Sequence, residues 1–433
     1  MAAIGPYGGR MRPRRVPGRA LAAGLVIALC CVAARPDPQA AGHPVLLSAG
    51  VTGVPGGARL TLAAALTLVD DKPADAAAQQ AWLSGARLPG GTNGERKVAA
   101  RALLDLGLLT APNGAAVAAP FGPWDLVWPR DASWVATALA VCGRTKTALS
   151  VLQFLARTQD GDGTWTAARY YPSGAPVNDG RPAQLDAVGW VPWAVWQWWR
   201  AGGSAADLDT LWPMLSRAAD AATDALGEDG LPRASADYWE QPETRPTLGT
   251  AAPLLLGLRA AADLAAARGD AAAARWAAAA KRLSAAIVER FGATGYRRYP
   301  DRRAGPDSAI AFLSAPLAGP SDDGRLSVAL ARTERALLMP SGGLRPGNIP
   351  RVGGVAWTPA TALFALAEAT GPGFDRWYDW LVAHRTALGE FPEKVTDRGQ
   401  PASVAPLAWT DAIVLLALTA RDDALPTPPT LVP

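Results

Sequence analysis

The sequence predicts an all-α protein: an (α/α)6 toroid of six helical hairpins, with a short N-terminal segment that contains a strand. Two observations predict it. Apolar residues recur at helical spacing in twelve segments of the 433-residue chain. The links between those segments alternate between short and long, and short links force antiparallel neighbours. A linear helical solenoid is the alternative, but no fixed-period repeat is visible. Hydrophobic residues make up 49% of the chain and charged residues 18%, so a large core is available and the composition is not that of a disordered chain.

Residues 42–70 are short and mixed, and Leu60, Leu62, Leu66 and Leu68 alternate with smaller residues as a strand would. A weaker helical pattern follows at 73–85. The twelve helices are expected at 94–110, 131–143, 145–157, 186–201, 207–226, 248–268, 270–291, 307–317, 323–338, 357–370, 373–387 and 405–420. The links at 143–145, 201–207, 268–270, 317–323 and 370–373 are short. Those before 131, 186, 248, 307, 357 and 405 are long. Every hairpin therefore has one long loop, and in a closed ring all six gather at one end, where function concentrates. The most apolar stretches, 132–142, 187–199, 250–258, 357–368 and 405–418, are the candidates for the inner ring.

The formal net charge of +4 is set by the N-terminus. Arg10, Arg12, Arg14, Arg15 and Arg19 precede an apolar run of 15 residues, Ala20 to Ala34, with no acid among them. A basic region, an apolar run and small residues after it read as a secretory signal, with Ala40-Ala41 as a cleavage site. An uncleaved membrane anchor is the alternative. Arg14-Arg15 suggests twin-arginine export, though the residues after it fit poorly, and Leu29 is a poor neighbour for lipidation of Cys30. Without the five arginines the net charge is −1, because Arg35 and Asp37 cancel. A nucleic-acid footprint would need a basic face. The 37 arginines against five lysines reflect genome composition. The expected organisation is a signal at 1–41, an N-terminal segment or linker at 42–93, the toroid at 94–421 and a tail at 422–433. The mature chain has no expected membrane span and is expected to be secreted and monomeric.

Cys30 and Cys31 lie in the signal, which leaves Cys142 alone and permits neither an intrachain disulfide nor a cysteine-based zinc site. His43 and His384 are too few for a histidine-rich metal centre.

The long loops carry the candidate chemistry. Before the helix at 131 stands Trp124-Asp125-Leu126-Val127-Trp128-Pro129-Arg130-Asp131. Asp131 suits a helix N-cap paired with Arg130. The same Trp, Arg and Asp suit a sugar, offering an apolar ring face and charged groups for hydroxyls, and composition leaves the two readings even. Before the helix at 186 stands Asp179-Gly180-Arg181-Pro182-Ala183-Gln184-Leu185-Asp186, followed by Trp190, Trp193, Trp196, Trp198 and Trp199. Most of these tryptophans suit core packing; Trp190, nearest the loop, is the candidate for a pocket. Asp237-Tyr238-Trp239-Glu240-Gln241-Pro242-Glu243 precedes the helix at 248. Of nine glutamates, Glu95, Glu289, Glu334 and Glu368 fall on expected helix surfaces, whereas Glu240 sits in a loop beside two aromatics. An aromatic wall favours a neutral carboxyl, as a general acid requires; a capping or salt-bridged acid is the alternative. Glu393, in Gly389-Glu390-Phe391-Pro392-Glu393-Lys394-Val395, is a second carboxyl at the same end, or else half of a surface pair with Lys394. Two carboxylates across a pocket are the minimum for glycosidic hydrolysis.

Taken together, Trp128-Pro129-Arg130-Asp131, Gln184-Leu185-Asp186, Tyr238-Trp239-Glu240 and Pro392-Glu393-Lys394, followed by Pro406-Leu407-Ala408-Trp409, resemble glycoside hydrolase family fifteen, the glucoamylases and glucodextranases. Order and spacing agree over about residues 94–420. The resemblance implies an (α/α)6 barrel and an inverting, exo-acting hydrolase that releases glucose from non-reducing ends. It implies Glu240 as general acid and Glu393 as general base. Trp128, Arg130 and Asp131 would bind the terminal glucose, and Gln184 and Asp186 would line the pocket with Trp190, Tyr238, Trp239 and Gln241. No metal or organic cofactor is implied, and the partner is an oligo- or polysaccharide. Inversion requires roughly 6.5–9.5 Å between the carboxyls to hold the attacking water.

The sequence departs from the family in three places. Gln241 stands where many fungal members have a second glutamate. About 50 residues separate the signal from the first helices, too few for the N-terminal β-sandwich of many bacterial members. The family arginine near Asp307 has no clear counterpart. A glycosidase for trehalose or an α-1,6-linked glucan on the same toroid, and a non-catalytic sugar-binding relative, are the competing functions; the presence of both glutamates argues against the second.

Overall fold

A computed structural model describes residues 45–62, 73–317, 324–348, 354–422 and 425–430. The signal segment, the Leu66 and Leu68 end of the expected strand and the last residues of the tail lie outside them.

The N-terminal strand is real and is half of a hairpin. β1 (Ser48–Val54) pairs antiparallel with β2 (Gly57–Leu62), and Val54 lies opposite Gly57. The chain reverses at Pro55-Gly56, where Gly56 has φ +84°, a conformation that side chains resist. Then follow α1 (Pro73–Leu83) and α2 (Asn93–Leu108), the latter started by a reciprocal capping box between Thr92 and Glu95. Glu95 is therefore a cap and not merely a solvated side chain.

The remaining helices are α3 (Pro129–Val141), α4 (Thr145–Thr158), α5 (Ala187–Arg200), α6 (Ala205–Asp224), α7 (Leu248–Arg268) and α8 (Ala272–Ala286). After them come α9 (Arg325–Leu337), α10 (Thr358–Ala367), α11 (Phe374–Ala383) and α12 (Ala408–Asp422). The expected helix at 307–317 is instead a single 3-10 element, Ser308–Leu313. Pro316 cannot donate a backbone hydrogen bond and disfavours helical geometry in Ala315, so the element stops early.

The hairpins close into a ring. α3 packs on α5, α5 on α7, α7 on the 3-10 element, that element on α10, α10 on α12, and α12 back on α3. Outside it α4, α6, α8, α9 and α11 each pack on the inner element they follow, and α2 packs on α12. Inner helices are nearly all buried, whereas α4, α6, α9 and α11 bury one stripe each. α7 is long and apolar enough to cross a membrane, but 83% of its most apolar window is buried in this ring. Two glycines set the α5–α7 approach: a Cβ on Gly189 would strike the Pro253 backbone, and one on Gly257 would strike Gly189.

The ring centre is filled by aromatics. Trp134 lies 5.1 Å from Trp190, 5.0 Å from Trp193 and 6.4 Å from both Phe312 and Trp409, centroid to centroid. Trp190 is wholly buried in this plug, so it is a core side chain and not part of a pocket surface. Its helical position one turn into α5 carries it below the loops.

Candidate active site

All six inner elements begin at the end where the long loops gather, so their N-termini, with their partial positive charge, surround one mouth. The loop before α7 carries Glu240 and the loop before α12 carries Glu393. These are the third and sixth inner elements of a ring of six, so the two loops rise on opposite sides of that mouth.

Trp128, not Asp131, is the N-cap of α3; Pro129 follows it in the first turn, where a missing N–H costs nothing. Asp131 is thereby left within the first turn and free of capping. Arg130 donates to Gln184 Oε1 at 2.7 Å and to Asp186 Oδ2 at 3.0 Å, and its Nε lies 3.3 Å from Asp131 Oδ2. Burial opposes the Arg130 charge, but Asp186, Asp131 and Glu240 together outweigh it and raise its pKa. Burial pushes Asp131 up to about 6, against the pull of Arg130 and helped by the charges of Glu240 and Asp186. Asp186 is raised for the same first reason. The Arg130 guanidinium lies 5.3 Å from the centre of the Trp409 ring, which floors the site.

Glu240 accepts a hydrogen bond from Trp128 Nε1 at 2.5 Å on one carboxylate oxygen, and Arg181 grips the other. The sequence points to an aromatic wall, with a salt-bridged acid as the alternative; the structure shows that salt bridge, made by a loop residue that helical spacing does not mark. Glu240 also holds φ at +55°, one of four non-glycine residues in the left-handed region among those described. Such strain costs about 1–3 kcal/mol and gathers at functional sites.

Glu393 is buried and accepts from the Ser403 hydroxyl, with Lys394 Nζ 3.3 Å from the same oxygen. The Lys394 pair expected from sequence is therefore present, but at a buried carboxylate. Ser403 is a second left-handed residue, at φ +70°. It is held on both sides by the chain preceding β1: Leu47 donates its amide to the Ser403 carbonyl at 2.6 Å, and Ser403 donates its own to Val45 at 2.9 Å. No periodicity in the sequence points to Ser403. The strands β3 (Val355–Trp357), β4 (Lys394–Thr396) and β5 (Pro401–Ala402) form a small antiparallel sheet that fixes the Glu393 loop beside α10.

The aromatic neighbours of Glu240 are walls. The Tyr238 hydroxyl is bound to Asp307 and Ser308 Oγ, and burial, then the Asp307 and Asp237 charges, raise its pKa far above the usual value. Trp239 is stacked 3.8 Å from the Arg298 guanidinium. Arg298 itself binds Asp237, Glu243 and Asp307, so the cation nearest Asp307 is Arg298. Gln241 is exposed beside Glu240.

Five buried polar atoms at this end have no hydrogen-bond partner among the described residues, Gln184 Nε2, Asp186 Oδ1, Trp239 Nε1, Trp357 Nε1 and Trp409 Nε1, while Arg130 Nε and Asp131 Oδ2 meet each other as an ion pair without a hydrogen bond. Buried polar groups are normally paired, so a set of unmatched donors and acceptors marks a place for a polar ligand. Among the described residues no group of three or more His, Cys, Asp or Glu side chains is placed to hold a metal ion.

No protein-family description matches the chain. An uncharacterized glycosyl hydrolase of Methanocaldococcus jannaschii is 24% identical over 354 residues, covering 75% of this chain and 56% of that protein. The chain thus spans little more than half the length of that relative. Among solved structures, a glycosidase variant in complex with glucose superposes with TM-score 0.66 at 20% identity, over 77% of this chain and 99% of the other. A bacterial glucoamylase complexed with acarbose gives 0.64 at 18%, over 79% and 58%. The glucoamylase of Saccharomycopsis fibuligera gives 0.62 at 13%, over 78% and 97%. The chain has the all-α toroid fold of the glucoamylases, as its motifs predict.

Proposed function

We propose that this chain is an inverting, exo-acting glycoside hydrolase that releases glucose from the non-reducing ends of α-glucans or α-gluco-oligosaccharides. The observation that carries the reading is the convergence of unmatched buried donors and acceptors around Arg130 with Glu240 and Glu393 on opposing loops. A sugar ring offers hydroxyls that both donate and accept, and an apolar face for the indole floor.

In this reading the terminal glucose lies on Trp409, accepts hydrogen bonds from Arg130 and Gln184, and donates its hydroxyls to Asp131 and Asp186. Charge-assisted bonds of this kind strengthen where water is excluded. Glu240 gives its proton to the glycosidic oxygen, steered by the Trp128 indole. Glu393, steered by Ser403, takes a proton from a water on the opposite face of the ring, and the anomeric configuration inverts. We further propose that residues 1–41 direct export, that 94–421 form the catalytic domain behind the segment 42–93 and ahead of the tail 422–433, and that the mature protein is monomeric. The solved relatives named as glucoamylases or bound to glucose support the substrate class.

The test is to incubate the purified protein, its Glu240→Gln and its Glu393→Gln variants with maltose, isomaltose, trehalose and soluble starch, following the released anomer by proton NMR. β-Glucose is expected from the wild type, with each variant slower by roughly 10²–10⁴-fold. Release of the chain-end residue of starch as α-glucose would refute inversion; in the disaccharides the leaving glucose keeps its own anomeric configuration, so only the newly cleaved residue is diagnostic. Sugar binding without turnover would replace the hydrolase by a sugar-binding protein, and the preferred substrate among the four names the linkage.

A further inference from the structure

The loop after the Arg169 bend carries an unusual arrangement of charge. Arg181 is 42% exposed at the mouth and grips Glu240, while its Nε lies 3.6 Å from Asp179 Oδ2. Asp179 is also the partner of Arg169. Arg169 is buried, stands 5.6 Å over the ring of Trp128, and its Nε has no hydrogen-bond partner among the described residues. No other described carboxylate forms an ion pair with Arg181.

Two guanidiniums thus share two carboxylates, Asp179 and Glu240, while Glu240 is ionised. Acid catalysis changes the count. To donate a proton Glu240 must first carry one, and a neutral carboxyl no longer balances Arg181. Asp179 alone then faces both Arg169 and Arg181, and this corner holds one uncompensated positive charge in the reactive state. Arg130 and Asp131 also act on Glu240, and Arg130 pairs with Asp131 and Asp186 on the buried side, where the proposed function places the terminal glucose. Arg181 stands on the exposed side of the same carboxyl.

We propose that Arg181 is a specificity-determining residue that binds an anionic substituent, a carboxylate or phosphate, on the leaving group of the substrate. The inference rests on Glu240 being the general acid. When Glu240 is protonated, the guanidinium is passed from the acid to the substrate's anion, so its charge stays balanced through the proton transfer. A neutral leaving group offers no such partner and must displace the Arg181–Glu240 pair unaided.

The test compares maltitol with maltobionate, which share an open-chain leaving group and differ by a terminal carboxylate, and adds trehalose 6-phosphate against trehalose for the phosphate case. Glucose release gives kcat/KM for the wild type, Arg181→Gln and Arg181→Lys. The wild type is expected to prefer an anionic member of a pair about tenfold, the worth of one charge-assisted hydrogen bond. Which pair shows the preference tells carboxylate from phosphate. Arg181→Gln should bring that ratio to about one, Arg181→Lys should keep part of it, and added salt should shrink it in the wild type. A wild type with no preference in either pair, or a preference that survives in Arg181→Gln, overturns the role of Arg181 while leaving the hydrolase reading intact. Failure to release glucose from all four compounds and from maltose and starch overturns both.

Discussion

Asp411 is a charge the fold can barely accommodate, and removing it should make the protein more stable at neutral pH. It lies in the first turn of α12, fully buried, and neither carboxylate oxygen has a hydrogen-bond partner among the described residues. Two more buried carboxylates stand nearby, Asp105 and Glu390, and Arg101 is bound to Asp105 at 3.0 Å and to Glu390 at 2.7 Å. Glu390 also accepts the Val51 amide from β1 at 3.0 Å. Burial, then the charges of Asp105 and Glu390, push Asp411 well above the usual carboxylate range, and burial raises Asp105 as well. The folded state therefore keeps a proton that the unfolded chain loses above about pH 4. With more protons bound in the folded state, stability falls as pH rises from there toward the raised folded-state pKa. The slope for one proton is at most about 1.4 kcal/mol per pH unit, so the loss between pH 5 and pH 7 reaches about 2.7 kcal/mol. Asp411→Asn keeps the shape and removes the titration. Its own amide must find partners, which offsets about 1 kcal/mol of the gain. Wild type should be ahead by about 1 kcal/mol near pH 5 and the order should reverse as pH rises, with Asp411→Asn ahead by about 1–2 kcal/mol at pH 7. Thermal and urea unfolding across pH 4–8 read this directly. If the two proteins lose the same stability between pH 5 and 7, Asp411 does not hold the proton and the reasoning is wrong.

Two further substitutions test the site and the ring. Trp128→Phe removes the indole N–H from Glu240 and keeps an aromatic face; kcat should fall about 10–100-fold, as expected for one hydrogen bond to a charged group, with the melting temperature nearly unchanged. An equal loss of stability and activity would make Trp128 a packing residue. Gly189→Ala drives a methyl into the Pro253 backbone at the α5–α7 crossing, where no side chain can turn aside. A loss of about 3 kcal/mol or more is expected from calorimetry or denaturant unfolding, and a tolerated alanine would mean the helices can separate.

The parts of this molecule that sequence alone discloses are those with local causes. Helical spacing reports burial along one element, so the hairpins could be read, and the alternation of link lengths placed every long loop at one end. The fourth inner element is where spacing misleads: Ile310, Phe312 and Leu313 are apolar at positions that suit α-helix and 3-10 helix alike, and only Pro316 ends the matter. Trp190 fails for a different reason. Its distance from the loop in residues is short, but a helix carries it a turn deeper with each 3.6 residues, into the plug around Trp134. Apart from Lys394 beside Glu393, the contacts that set the surroundings of the loop glutamates have no local signature. Arg181 reaches Glu240 across 59 residues, and Arg101 reaches Glu390 across 289. Ser403 is placed by pairing with Val45 and Leu47, from the opposite end of the chain. A motif can therefore name a carboxyl as acid or base, but what governs its proton is assembled only when the ring closes and the N-terminal strand is laid against the Glu393 loop. That makes the strand a natural point of variation: a change at Val45–Val51 reaches Glu393 through Ser403 and Glu390 while leaving every recognisable motif untouched.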